Sequence, residues 1–235
     1  MAAFARYHLG KMPPILIAIL VLVSSGHLHA QAAAAAATKT AAIPAVKQDT
    51  RNVLVVFGDS LSAGYGVQPG ESYPDRLQKK LDAQKLRWRV VNLGISGDTT
   101  MGGVSRINTA VAAKPAMVLL ELGGNDGLRG LPLNMTRANM EKMIVAFQAA
   151  GARVVLAGMT LPPNYGQDYV RGFEKVYSDL AAKHRLPLIP FLLAEIITKD
   201  LRYFQSDGIH PNAQGAEIVS GTVMRALHPL LISKN

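Results

Sequence analysis

Five short apolar runs, spaced by stretches of helical periodicity, limit what this chain can fold into more than any other feature. They cover residues 53–57, 88–92, 116–120, 153–157 and 186–190. Strands that read as near-continuous apolar runs, with no polar alternation, belong to sheets covered on both faces. Alternation with helical segments then implies parallel strands joined by crossover helices. Helices are expected at 73–85, 103–113, 135–150, 170–184 and 213–230. The one at 135–150 carries Met140, Ile144 and Phe147 on one face, and Gly151 supplies its stop. The fold class is therefore α/β, and ligands in such a sheet bind beyond the carboxyl ends of the strands, near a topological switch point.

The residues placed at those ends are chemically specific. Ser60 follows the first run in Phe57-Gly58-Asp59-Ser60-Leu61-Ser62, and Gly94-Ile95-Ser96-Gly97-Asp98 follows the second. Gly123-Gly124-Asn125-Asp126 follows the third, and Asp207-Gly208-Ile209-His210-Pro211 comes late in the chain. A serine hydroxyl needs a base, and imidazole is the side-chain base suited to neutral pH. His8, His27 and His29 fall in an expected signal peptide at 1–30, His184 ends an expected helix and His228 lies near the terminus, which leaves His210 as the candidate base. Asp207, three residues earlier, is spaced to reach the imidazole and complete a Ser60–His210–Asp207 triad. On its own that pair also reads as a helix cap and a locally bonded histidine.

An acyl-transfer centre also needs donors for a developing oxyanion. The candidates are the backbone N–H groups of Ser60 and Gly97 and the side-chain amide of Asn125. Glycine at 97 permits a positive φ, and Gly123-Gly124 permits the sharp turn that would project Asn125 inward, although either cluster alone reads as an ordinary turn. Asp59 is expected to shape the loop as a cap and not to carry a proton. Asp98 and Asp126 are two acids without a histidine cluster, so no metal is expected. Ser62 stands where a Gly-x-Ser-x-Gly elbow would place its second glycine, which argues against the larger α/β-hydrolase fold.

The beginning of the chain has a different character. Arg6 and Lys11 precede a nine-residue apolar run at 15–23, and small residues surround Ala30-Gln31-Ala32. This is the pattern of a signal peptide, and the run is too short for a spanning helix of about 20 residues. Residues 1–30 are thus expected to be a signal peptide, 31–50 an alanine-rich flexible leader, and 51–235 the folded domain of an exported protein. Loss of Arg6 and Lys11 with that peptide takes the formal charge from +9 to +7, with lysine and arginine scattered and not striped, so nucleic acid is not an expected partner. The absence of cysteine excludes disulfides, thiolate nucleophiles and cysteine–zinc sites.

Taken in order, the Ser60, Gly97, Asn125 and His210 blocks resemble those of the GDSL or SGNH hydrolase family. Glu121-Leu122-Gly123-Gly124-Asn125-Asp126-Gly127-Leu128-Arg129-Gly130 and Leu161-Pro162-Pro163-Asn164-Tyr165-Gly166 are similar to its exported thioesterase, lysophospholipase and arylesterase branch. The resemblance runs from Asn52 to the terminus. It implies a flavodoxin-like three-layer sandwich with five parallel strands, no cofactor, and hydrolysis of esters and thioesters carrying acyl chains. Leu161, Pro162 and Tyr165 are the expected substrate-binding residues, in a loop after the fourth strand. An exported enzyme of this kind is expected to meet small esters or lipid-derived esters, touching membrane lipids transiently and acting as a monomer. The alternatives are a carbohydrate O-deacetylase of the same family, with a sugar-lined groove, and a lipid-binding module that lacks catalysis.

Overall fold

The computed structural model describes residues 49–232. The expected signal peptide and most of the expected leader lie outside the described residues. In chain order the elements are β1 (Asn52–Gly58), α1 (Ser60–Ala63), α2 (Tyr73–Ala83), β2 (Trp88–Asn92), α3 (Thr100–Ser105), α4 (Ile107–Ala112) and β3 (Met117–Glu121). They continue with α5 (Gly124–Leu128), α6 (Leu133–Ala149), β4 (Arg153–Ala157), α7 (Gln167–His184), β5 (Leu188–Ile189), α8 (Ala194–Lys199) and α9 (Ala213–Ile232).

The five strands are all parallel and run in the order β2-β1-β3-β4-β5. The chain leaves β1 toward β2 on one side and builds β3, β4 and β5 on the other. Right-handed crossovers in opposite directions place their helices on opposite faces. Accordingly α2 packs with α9 in one layer, and α6 packs with α3, α4 and α7 in the other. Leu54, Val55, Val56 and Phe57 of β1 are fully buried, as are Val118, Leu119 and Leu120 of β3. Phe57 meets Phe147 of α6 edge to face, with ring centroids 5.3 Å apart. Each such side chain contributes about 1.5–3 kcal/mol on burial, and no cysteine is present to supplement the core.

Several boundaries differ from expectation for identifiable reasons. β5 is only two residues long because Pro187 and Pro190 flank it and donate no N–H, although the Pro187 carbonyl still accepts from Leu156. The helix expected at 103–113 is interrupted at Arg106, whose guanidinium binds Asp98 at 2.7 Å and the carbonyls of Leu93 and Gly58 at 2.6 and 2.9 Å. β3 runs one residue further than the apolar run, to Glu121, which is fully buried. The short helices α1, α5 and α8 were not foreseen. Among the described residues no helix is long and apolar enough to cross a membrane.

Candidate active site

The switch point of this sheet lies between β1 and β3, and Ser60 and Asn125 follow those two strands directly. Ser60 is the first residue of α1, where Asp59 caps the turn by accepting the Leu61 N–H at 3.1 Å. Its Oγ lies 2.8 Å from His210 Nε2, and His210 Nδ1 lies 2.7 Å from Asp207 Oδ2. Asp207 also accepts the backbone N–H groups of Ile209 and His210 at 2.9 and 3.0 Å. Partial burial pushes its carboxyl upward, but the hydrogen bonds from His210 and Ile209 outweigh this and hold it at about 2. A carboxylate fixed on Nδ1 leaves Nε2 free to take a proton from the serine.

The loop carrying Asp207 and His210 is anchored from outside the pair. The His210 carbonyl accepts the Gln205 N–H at 2.8 Å, and the Gln205 side chain reaches the Tyr65 carbonyl at 2.6 Å. The Tyr65 ring leans on the imidazole with centroids 4.6 Å apart. His184 and His228 take no part in this arrangement, and His184 pairs with Glu141 at 2.8 Å.

Ser60, Gly97 and Asn125, the three expected sources of oxyanion donors, all line one groove. Gly97 has φ +79°, and an added Cβ would find nothing closer than Arg129 at 3.9 Å. Backbone conformation, not lack of space, makes this position suit glycine. The Arg129 guanidinium holds the Gly97 carbonyl at 3.0 Å. Gly123 has φ +111°, and a Cβ there would come within 2.3 Å of the Tyr177 hydroxyl. That turn starts α5 and presents Asn125, whose amide donates to Asp59 Oδ2 at 3.2 Å. An amide has two N–H donors, so one remains for a ligand. Asp98 is engaged by Arg106, and Asp126 accepts the Thr100 N–H and hydroxyl at 2.8 and 2.5 Å.

The groove holds about 610 Å³ and its walls are largely apolar. Leu161 and Pro162 line it, with Leu161 almost fully buried. Tyr165 is not among the lining residues. Its hydroxyl donates to the Leu128 carbonyl at 2.9 Å, so it braces the loop against α5 from behind. Residues the sequence did not point to complete the wall, including Met159, Phe191, Leu193, Ile197 and Phe204. Three of these flank or belong to α8, an element too short to show a helical period. Glu121 was also missed as a site neighbour; an acid directly continuing an apolar strand was the available signal.

The family model for the GDSL-like lipase/acylhydrolase family matches residues 56–218. Esterase TesA of Pseudomonas aeruginosa is 40% identical over 192 residues, covering 81% of this chain and 95% of that protein. Thioesterase 1/protease 1/lysophospholipase L1 of Escherichia coli is 36% identical over 181 residues, covering 77% and 85%. The crystal structure of the psychrotrophic esterase EstA from Pseudoalteromonas sp., inhibited by monoethylphosphonate, superposes with a TM-score of 0.74 at 31% identity, covering 77% of this chain and all of that one. On this match of sequence and fold, the chain belongs to the GDSL-like lipase/acylhydrolase family.

Proposed function

We propose that the protein is a serine esterase that cleaves carboxylic esters and thioesters with acyl chains through an acyl-enzyme on Ser60. The observation that carries this reading is the unbroken chain from Ser60 Oγ through His210 to Asp207, at 2.8 and 2.7 Å, opening onto an apolar groove. Ser60 Oγ attacks the carbonyl carbon while its proton passes to His210 Nε2. The oxyanion that forms takes the N–H groups of Ser60 and Gly97 and the free amide N–H of Asn125. Collapse expels the alcohol or thiol, which receives the proton from His210, and leaves the acyl group on Ser60. Water then attacks, with His210 again as base, and the carboxylic acid departs.

The groove favours acyl chains over the sugar-lined setting of an O-deacetylase, because its walls come from Met159, Leu161, Phe191 and Phe204. The basic, apolar and small-residue pattern of residues 1–32 supports export, where lipid-derived esters and small esters are the available substrates. The test is Ser60→Ala on a series of p-nitrophenyl esters from acetyl to palmitoyl, beside a lysophospholipid. Turnover should vanish, and a fluorophosphonate probe should label the wild type once and the variant not at all. Survival of labelling and turnover would remove Ser60 from the role.

A further inference from the structure

Beneath the Ser60 turn the structure buries a second set of polar groups, Asp59, Ser62 and Glu121, that the acyl-transfer steps do not use. Glu121, the last residue of β3, is fully buried, and among the described residues no lysine or arginine hydrogen bonds to its carboxyl. Its Oε2 accepts the Ser62 hydroxyl at 2.5 Å and the Asp59 N–H at 3.4 Å. The Ser62 hydroxyl lies in turn 2.7 Å from the Tyr73 hydroxyl of α2. Glu121 Oε1 is buried and receives no N–H or O–H. Space for this cluster is made by Gly58, where a Cβ would fall 2.2 Å from Ser62 Oγ and 2.3 Å from Glu121 Oε2.

The Asp59 N–H on Glu121 Oε2 at 3.4 Å brings the two acids side by side, and burial pushes both carboxyls upward. Two adjacent buried carboxylates cannot both stay ionised. Asp59 receives the Leu61 N–H and the Asn125 amide, both of which favour its charged form, and it also feels His210. Glu121 has only the Ser62 hydroxyl and the long Asp59 N–H as donors, both on Oε2, so Oε1 is left to carry a proton. The remaining titratable or charged groups that face the pair are Tyr73 and Tyr177, both buried and held neutral, and Arg106, which is spent on Asp98, Leu93 and Gly58. The single shared proton therefore belongs on Glu121.

We propose that Glu121 is a positioning residue of the oxyanion site: as a neutral acid it donates to Asp59, which stays anionic and holds the Asn125 amide in place. The order of the relay is Tyr73, Ser62, Glu121, Asp59, Asn125. Tyr73 donates to Ser62 and Ser62 to Glu121, so the glutamic proton is left free for Asp59. Asp59 then fixes one N–H of Asn125 and thereby aims the other at the groove. The inference rests on the reading of Asn125 as an oxyanion donor given above.

Glutamine can stand in for a neutral glutamic acid, since it accepts from Ser62 and donates to Asp59; methionine fills the space and can do neither. Glu121→Gln should keep kcat within about threefold of the wild type. Glu121→Met should lower kcat about tenfold with KM within about twofold, the mark of an interaction made in the transition state. In an Asn125→Ala background the same Glu121→Met change should cost less than about twofold, because the group it positions is gone. An undiminished tenfold loss in that background would overturn the proposal, and so would a folded Glu121→Gln protein that loses tenfold or more in kcat. Should Glu121→Met fail to fold by circular dichroism, the Glu121→Gln result decides alone. Asn125→Ala by itself separates the two readings, since an unchanged kcat there removes the oxyanion role whatever Glu121 does.

Discussion

Ser60 sits between two regions built from similar groups for opposite purposes. In front of it, Asp207 is about a third exposed and accepts two backbone N–H groups as well as the His210 ring, which holds its carboxyl at about 2. Behind it, Asp59 is buried beside Glu121, and burial pushes its carboxyl up to about 6 despite the hydrogen bonds it receives. Surroundings, not residue type, divide the labour. A carboxylate that must steady a forming imidazolium is kept charged by many donors, whereas one that only holds an amide in place tolerates a shared proton with its neighbour.

Removing the charge in front should therefore cost far more than removing it behind. Asp207→Asn is expected to lower kcat roughly 10³–10⁴-fold, because the imidazole loses the partner that selects its tautomer. Asp59→Asn should cost much less, since an asparagine oxygen can still accept from Asn125. Steady-state kinetics on one soluble ester measures both, and equal losses would break the distinction between the two regions. Next in size, Asn125→Ala should lower kcat roughly 10²–10³-fold with little change in KM. A raised KM at constant kcat would make Asn125 a residue that positions substrate and not the oxyanion.

The two aspartates also give opposite signs in a stability profile. The Asp207 carboxyl is lowered on folding from 3.8 to about 2, so its contribution is present above about pH 4 and is lost as pH falls toward 2. Asp59 is raised from 3.8 to about 6, so its contribution is favourable below about pH 4 and is lost as pH rises through 6. Between pH 4 and 7, the Tm of Asp59→Asn should rise relative to the wild type, helped by the relief of Glu121. Over the same interval the difference for Asp207→Asn should stay flat. Calorimetry at four or five pH values tests this, and parallel curves for the two variants would contradict the assignment.

The front of the site was more legible in the sequence than the back, and the reason is physical. Ser60, Gly97 and Asn125 each sit in a short local word just past a strand end, so topology alone brings them to one edge, and His210 shares one short word with Asp207 before α9. The back depends on contacts between distant residues, such as Glu121 with Ser62 and Arg106 with Gly58, which leave no periodic trace. Arg106 interrupts a helix because its side chain is drawn to three oxygens, a demand that helical periodicity cannot register. Leu161 and Tyr165 make the same point within one loop. Sequence places both after β4, but only the fold decides that Leu161 faces the groove while Tyr165 turns to Leu128.

That division within the loop yields the smallest effect and sharpens what the front region selects. If acyl chains lie along Met159, Leu161, Phe191 and Ile197, each added methylene gains up to about 0.8 kcal/mol, or about fourfold in kcat/KM, until the groove is filled. Ile197 is half exposed on α8, so its truncation to alanine should leave the core intact and flatten the climb at its long-chain end. Tyr165→Phe removes only the hydrogen bond to Leu128, worth about 1 kcal/mol of loop stability. It should leave the acetyl-to-decanoyl ratio unchanged. A Tyr165→Phe protein whose ratio falls as far as that of Ile197→Ala would mean that chain selection depends on the loop's rigidity, and that the apolar wall is not what reads acyl length.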